Sequence, residues 1–490
     1  MEKYILSIDA GTTSSRALII DKKGIVKGLS QKEFPQIFPK KGWVEHDPNQ
    51  IWETQFRVIK DVLEKTKISP KMIHCIGVTN QRETTVLWNK KTGVPVYNAI
   101  VWQDRRTAEI CNDLKSKNLE KTFQDKTGLL LDPYFSGTKI KWILDSNPEI
   151  KKLAANNNLA FGTIDTWLIW KLTKGEVHVT DVTNASRTLL FNIHNLNWDK
   201  ELIDYLEISE NILPKVVSCS ENVGLTSKDV LGFSIPISGI AGDQQASLFG
   251  QMCIEPGDVK NTYGTGCFCM MNTGEKVVKS KHKMLSTIAY QLDDKTFYAI
   301  EGSVFTGGAL VQWLRDELGI ISNASEIESL ALTVENSGGI TFISGLSGLG
   351  APHWNPDASG SILGINRGTK KGHIARAALE AIAIRTYEII ICMEKDANTK
   401  FTSLKVDGGG SNNDLLMQIQ SNLLKTKVVR SSFSESTALG VAFLAGLASG
   451  YWDSIDDLKN IWMKDKEFIP DNSKNDNILS KWKERMDILY

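Results

Sequence analysis

From Tyr4 onward the chain alternates short apolar runs with polar turns: YILSID, the turn GTTSS, RALIID, then KKG and IVKGL. Runs this short, broken by Gly and Ser, predict three strands joined by two tight turns, an antiparallel meander. A second unit of the same design starts near Val259, where VKNTYGTGCFCMMNTGE sets a Gly-Thr-Gly turn between two runs rich in β-forming residues. The repetition predicts two related halves that meet between residues 239 and 257, with domains drawn as 1–248 and 249–490. Helical periodicity runs over 304–318, where Leu310, Trp313, Leu314 and Leu318 share one face, and returns over 415–424 and 436–449. In the last of these, Ala438, Gly440, Ala442, Ala445 and Gly446 predict a helix packed very close to its neighbours.

The longest apolar stretch, 374–393, carries Arg376, Glu380, Arg385 and Glu388 at near-helical spacing, which makes it a core helix rather than a membrane span. Strands alternating with helices predict the α/β class, with mostly parallel sheets behind the opening meander. The Lys-, Asn- and Asp-rich stretch 464–474 is expected to be a solvated loop before a last amphipathic helix.

Composition narrows the function classes. A chain of 490 residues has room for two large domains or about three ordinary ones. Lys plus Arg and Asp plus Glu both count 57, so the net charge is zero and the electrostatic footprint of a nucleic-acid binder is missing. The seven cysteines are odd in number and contain no C-x-x-C pair, which fits reduced thiols in a cytoplasmic protein. MEKYILSIDAGTTSSR lacks the basic and apolar regions of a signal peptide. The seven histidines are scattered without metal-ligand spacing and are expected to be structural.

Candidate chemistry lies at predicted strand ends. Asp9 precedes the turn that holds Thr12, Thr13, Ser14 and Arg16. Consecutive N–H groups and hydroxyls there can cradle phosphate, and the carboxylate can hold a magnesium ion through water, although ordinary hairpins share the D-x-G-T pattern. Tyr263-Gly264-Thr265-Gly266 offers a second turn of this kind. Asp407-Gly408-Gly409-Gly410 follows an apolar run and precedes a helix expected to start near Asn412; glycines let a flat ring or a phosphate approach the backbone, and they also serve plain strand-to-helix connections. GGGSNN does not match the G-x-G-x-x-G spacing, which disfavours a dinucleotide site. Arg82 and Glu83 follow the apolar run CIGVT, so they sit near a strand end, where open α/β sheets bind ligands. Side by side they can offer donors and acceptors to neighbouring hydroxyls of a polyol, or form a surface ion pair. Asp243 follows IPISGIA at another strand end and is the candidate general base.

Two phosphate-type turns and a late glycine loop resemble the sugar-kinase, actin and heat-shock-chaperone superfamily. Further motifs sharpen the likeness: GWVEHDP (42–48), NQRETT (80–85), NAIVWQDRR (98–106), DPYFSGTK (132–139), GTIDTWLIWKLT (162–173), TNASRT (183–188), GIAGDQQA (239–246), NTYGTGCF (261–268), QWLRD (312–316), GLGAPHW (348–354) and VDGGGSNN (406–413). Together with DAGTTSSR (9–16) they resemble the glycerol branch of the FGGY carbohydrate-kinase family across essentially the whole chain.

The resemblance implies two related actin-like, ribonuclease H-like domains with a nucleotide and substrate cleft between them. It implies ATP-dependent phosphorylation of glycerol to sn-glycerol 3-phosphate, with Asp243 as base. Glycerol contacts fall to Arg82, Glu83, Trp102, Tyr134, Asp243, Gln244 and Phe268. Nucleotide contacts fall to Thr12, Thr13, Ser14, Arg16, Thr265, Gly308, Gln312, Gly410 and Asp414, and Mg²⁺ falls to Asp9 through water and to Asp243. A homo-oligomer, dimer or tetramer, is the expected assembly. The competing readings are a kinase for another small polyol or ketose, and a non-kinase ATPase of the same superfamily. Ala10 stands where the family commonly has Gln, and the loop LTSKDVLGFS (225–234) has no Arg and no His. The sugar-bisphosphate inhibition and phosphorylation-dependent activation of some relatives therefore do not carry over from the resemblance.

Overall fold

The structure, a computed structural model, describes residues 2–346, 348–355, 357–433, 435–471 and 477–490. The opening meander forms as the apolar runs predict, with strands Tyr4–Ala10, Ser14–Ile20 and Val26–Glu33. These belong to a six-stranded sheet ordered Ser220–Leu225, Pro236–Gly242, Ile73–Asn80, Tyr4–Ala10, Ser14–Ile20, Val26–Glu33. Its neighbours pair antiparallel, parallel, parallel, antiparallel, antiparallel.

The second half repeats that series. Lys464–Phe468, Lys427–Ser431, Ser403–Asp407, Val259–Tyr263, Cys267–Gly274 and Lys295–Val304 pair in the same succession of directions, and Leu285–Leu292 adds one antiparallel strand at the end. Both sheets are therefore mixed, which corrects the expectation of mostly parallel sheets. Each of these two sheets has two parallel pairs, because only its central strands are joined by long crossovers, whereas the hairpins must run antiparallel.

Three element boundaries also differ from expectation. The 304–318 helix begins at Gly308, because the preceding strand runs on to Val304. The helix expected near Asn412 starts at Asp414, after a single 3₁₀ turn, with the Asn413 side chain accepting from the Leu416 amide at 2.8 Å. Within the expected loop 464–474, Lys464–Phe468 is an edge strand; KDKE keeps that edge charged, a usual guard against further pairing. Residues 472–474 of that segment lie outside the described residues.

The halves meet through two helices that follow equivalent strands, Asp243–Gly250 and Ser436–Ala448. A Cβ on Gly440 would lie 1.8 Å from the Ala246 carbonyl oxygen, and one on Gly250 would lie 2.0 Å from that of Ser436. Only glycine allows this approach, and it accounts for the small-residue pattern of 436–449. Around the crossing, Ile5, Cys75, Phe249, Met270, Tyr290, Leu439 and Val441 form one buried cluster drawn from both halves. A separate core in the first half, with Phe123, Phe135, Ile140, Phe161 and Leu206, supports the segment that carries Tyr134. Helix Lys371–Ala397 buries Ala375, Ala378, Ile382 and Ile389 in the core of the second half. No helix among the described residues is long and apolar enough to cross a membrane.

Candidate active site

Register places the chemistry. Ala10 pairs with Asn80, and Asn80 with Gly242, so the chain leaves three adjacent parallel strands at one level. Gly11, the Gln81–Arg82–Glu83 turn and Asp243 therefore emerge side by side at the carboxyl ends of the strands, where open α/β sheets hold ligands. In the second sheet Thr262 pairs with Asp407, which sets the turn 264–266 beside the loop 408–410. Gly408 has φ +80°, and a Cβ there would meet the Tyr263 carbonyl oxygen at 2.6 Å.

Arg82 and Glu83 are buried at the bottom of the cleft rather than paired on the surface. Arg82 donates through Nη1 and Nη2 to the two carboxylate oxygens of Glu301 at 2.6 and 2.9 Å, and its Nε lies 3.2 Å from Asp243 Oδ1. Glu83 accepts from Arg187 Nε at 2.6 Å, and Arg187 Nη2 donates to Glu301 at 3.1 Å. Burial by itself would raise the Glu301 carboxyl, but Arg187 and Arg82 outweigh it and hold the group at about 2. Glu83 adopts φ +60°, a costly conformation for a residue with a Cβ. Ser136 Oγ donates to its carbonyl at 2.9 Å, and the buried Lys139 donates to the Tyr134 carbonyl at 2.6 Å. Burial pushes the Lys139 ammonium down to about 8.

Asp243 opens helix Asp243–Gly250, and its Oδ1 accepts the Gln244 amide at 2.7 Å. Burial raises its pKa, while Arg82 pulls the other way. Gln244 accepts from the buried Lys260 Nζ at 2.5 Å. Trp102 meets Tyr134 edge-on at 5.7 Å and Phe268 at 6.3 Å between ring centres, so the aromatic wall draws on both halves. Trp102 Nε1 also donates to Thr12 Oγ1 at 3.0 Å, tying this wall to the first phosphate-type turn.

Asp9 is buried, and no side chain among the described residues hydrogen-bonds its carboxylate. Burial raises it to about 7, Arg16 opposes, and the negative charge of Asp243 adds to the rise. Two carboxylates near enough for the charge of one to raise the other, Asp9 having no side-chain partner among the described residues, make a hard oxygen donor set suited to Mg²⁺. Among the described residues no three His, Cys, Asp or Glu side chains gather into a metal cluster, so water and phosphate oxygens would have to complete such a site.

The nucleotide set is spread along the cleft. Ser14 Oγ accepts from Gln31, and Arg16 pairs with Glu435 of the opposite half at 2.8 Å. The Thr265 carbonyl accepts the amides of Gly307 and Ala309, and the Gly308 amide donates to Gly264 at 2.9 Å, which fastens the second turn to the helix carrying Gln312. Thr13 and Gln312 are exposed. The Asp414 carboxylate is held by Arg430 at 2.9 Å and Lys466 at 2.6 Å. Among the described residues, no hydrogen bond or ion pair ties Gln312, Gly410 or Asp414 to the Arg82 network.

Sequence reading assigned no role to Glu301, Arg187, Lys139 or Lys260. The available signal was a charge inside an apolar run: Glu301 is flanked by Ala299, Ile300 and Gly302 in a strand.

The family model described as the FGGY family of carbohydrate kinases, N-terminal domain, matches residues 4–250, and its C-terminal counterpart matches 259–449. The chain belongs to the FGGY carbohydrate kinases. It is similar to the glycerol kinase of Chromobacterium violaceum, with 55% identity over 96% of this chain and 94% of the relative. It is similar to glycerol kinase 2 of Thermotoga maritima, with 54% identity over 98% of both chains. Among solved structures, that of Plasmodium falciparum glycerol kinase with ADP superposes with a TM-score of 0.93 at 38% identity, over 100% of this chain and 98% of the other. This FGGY chain therefore has the two-domain α/β fold of its family, with the cleft residues above at the carboxyl ends of both sheets.

Proposed function

We propose that this chain is a glycerol kinase, transferring the γ-phosphoryl group of ATP to glycerol to give sn-glycerol 3-phosphate and ADP. The observation that carries the reading is the juxtaposition of Asp243 with Arg82 at 3.2 Å, beside an aromatic wall of Trp102, Tyr134 and Phe268. The glycerol kinases of Chromobacterium violaceum and Thermotoga maritima, 55% and 54% identical to it, support the choice of polyol.

A ligand this small gains at most about 1.5 kcal/mol per heavy atom, so useful affinity demands that each hydroxyl be paired. Arg82, Glu83, Tyr134 and Gln244 supply charged and neutral partners, and the rings cover the carbon skeleton. A terminal hydroxyl then attacks the γ-phosphorus in line; Asp243 takes its proton as the new O–P bond forms, and the electron pair of the broken P–O bond leaves with ADP. The turns 11–14 and 264–266 and the loop 408–410 receive the nucleotide. Mg²⁺, held by Asp243 and through water by Asp9, would neutralise charge on the phosphoryl oxygens. Water is a rival nucleophile, so the chemistry requires the halves to close over both substrates.

An ATP-to-ADP assay with glycerol, dihydroxyacetone, xylulose and gluconate tests the reading. Turnover should be fastest with glycerol and near background without a polyol. Faster turnover of a ketose, or ATP hydrolysis indifferent to glycerol, would overturn it.

A further inference from the structure

Glu301 lies at the middle of the site yet belongs to the other half of the molecule. It sits on strand Lys295–Val304 of the second sheet, fully buried, while the groups it binds, Arg82 and Arg187, belong to the first half. Its two oxygens take both terminal nitrogens of Arg82, at 2.6 and 2.9 Å, and one of them also takes Arg187 at 3.1 Å. Arg187 passes the constraint on to Glu83 at 2.6 Å. One carboxylate thus sets the orientation of both charged groups assigned to glycerol.

Stability is a poor explanation for this arrangement. Desolvating several charges costs about as much as their attraction returns, and apolar packing would hold the halves together equally well. What apolar packing lacks is direction. A two-pronged carboxylate–guanidinium contact fixes the guanidinium plane, and here it leaves Nε of Arg82 facing Asp243.

We propose that Glu301 is a positioning residue for the polyol, acting through Arg82 and Arg187 to aim Arg82 and Glu83 at the substrate hydroxyls from the opposite half. The proposal rests on the glycerol-kinase reading, so the parent chain is assayed first. A parent that leaves glycerol unphosphorylated overturns both, whereas an active parent isolates the question of Glu301.

The test compares full-length Glu301→Gln and Glu301→Asp. The Asp variant keeps the charge that satisfies two buried guanidinium groups but withdraws it by one methylene, so it decides the matter if the Gln variant does not fold. Misplacement should lower kcat/KM for glycerol by about 10²-fold, most of it in glycerol KM, while KM for ATP moves less than about threefold. The melting temperature of the Asp variant should stay close to that of the parent. In an Arg82→Lys background, Glu301→Asp should cost little further kcat/KM, because the residue it acts through is already altered. A folded Asp variant that keeps its glycerol kcat/KM within about threefold overturns the proposal. So do losses that simply add in the double variant, equal losses in both substrates' KM, or failure of both variants to fold.

Discussion

At the ends of its parallel strands the first half places Asp9, Arg82, Glu83 and Asp243; at the equivalent ends the second half places Gly264, Gly266, Gly408 and Gly410. The strand directions leading to these ends follow the same series in both sheets. A shared scaffold has therefore been given opposite chemistry at matching places. Charge in a buried site confers direction and can accept a proton, which suits a small neutral alcohol. Bare backbone offers N–H groups and close approach, which suits a large polyanion that brings its own charge. The division is not complete: Glu301 and Lys260 bring charge from the second half to Arg82 and Gln244, and the turn 11–14 with Arg16, proposed for the nucleotide, belongs to the first half.

The sharpest way to break this contrast is to remove the group proposed to accept the proton. Asp243→Asn keeps the shape of the helix start and removes the negative charge that faces Arg82 Nε at 3.2 Å. If proton acceptance and phosphoryl positioning both pass through this carboxylate, kcat should fall by about 10³-fold or more. Glycerol and nucleotide binding, measured by calorimetry, should survive. A variant with kcat within about tenfold of the parent would take Asp243 out of the mechanism.

The opposite half calls for a different probe. A Cβ on Gly410 would come within 2.9 Å of the Tyr263 Cβ, so Gly410→Val must shift the loop proposed to receive the nucleotide. The expected result is a rise in KM for ATP of about tenfold or more, with KM for glycerol nearly unchanged. Equal increases for both substrates would show that the halves do not divide their labour by substrate.

The contrast was only partly legible in the sequence. Asp9, Arg82, Glu83 and Asp243 each come within a few residues of the end of an apolar run, so their place near strand ends could be read from local pattern. The glycine turns were visible for the same reason. What joins them was not: Arg82 and Glu301 are 219 positions apart, and Arg187 and Glu83 are 104 apart. No local periodicity encodes a contact over that distance. The strained backbone of Glu83 was hidden as well, because nothing in NQRETT signals a positive φ at a glutamate. The expectation of parallel sheets failed because each hairpin adds antiparallel pairs around a short parallel centre. The 464–474 stretch misled in another way: its charges mark a sheet edge that must stay unpaired, a job that gives strands the composition of loops.

The gentlest probe tests whether the halves also hold each other by charge at the rim of the cleft. Arg16 of the first half pairs with Glu435 of the second at 2.8 Å, with the two side chains 34% and 27% exposed. Solvent screens a pair this open, and such pairs contribute about 0–1 kcal/mol. Glu435→Gln should therefore shift the melting temperature by no more than a degree or two, and less at high salt than at low. Its clearer effect should fall on the nucleotide, because Arg16 no longer has to leave a carboxylate to meet a phosphate: KM for ATP should stay the same or drop slightly. A marked rise would mean that Glu435 holds Arg16 where the phosphate needs it, and that the rim pair, like the Glu301 fork, sets a direction across the two halves.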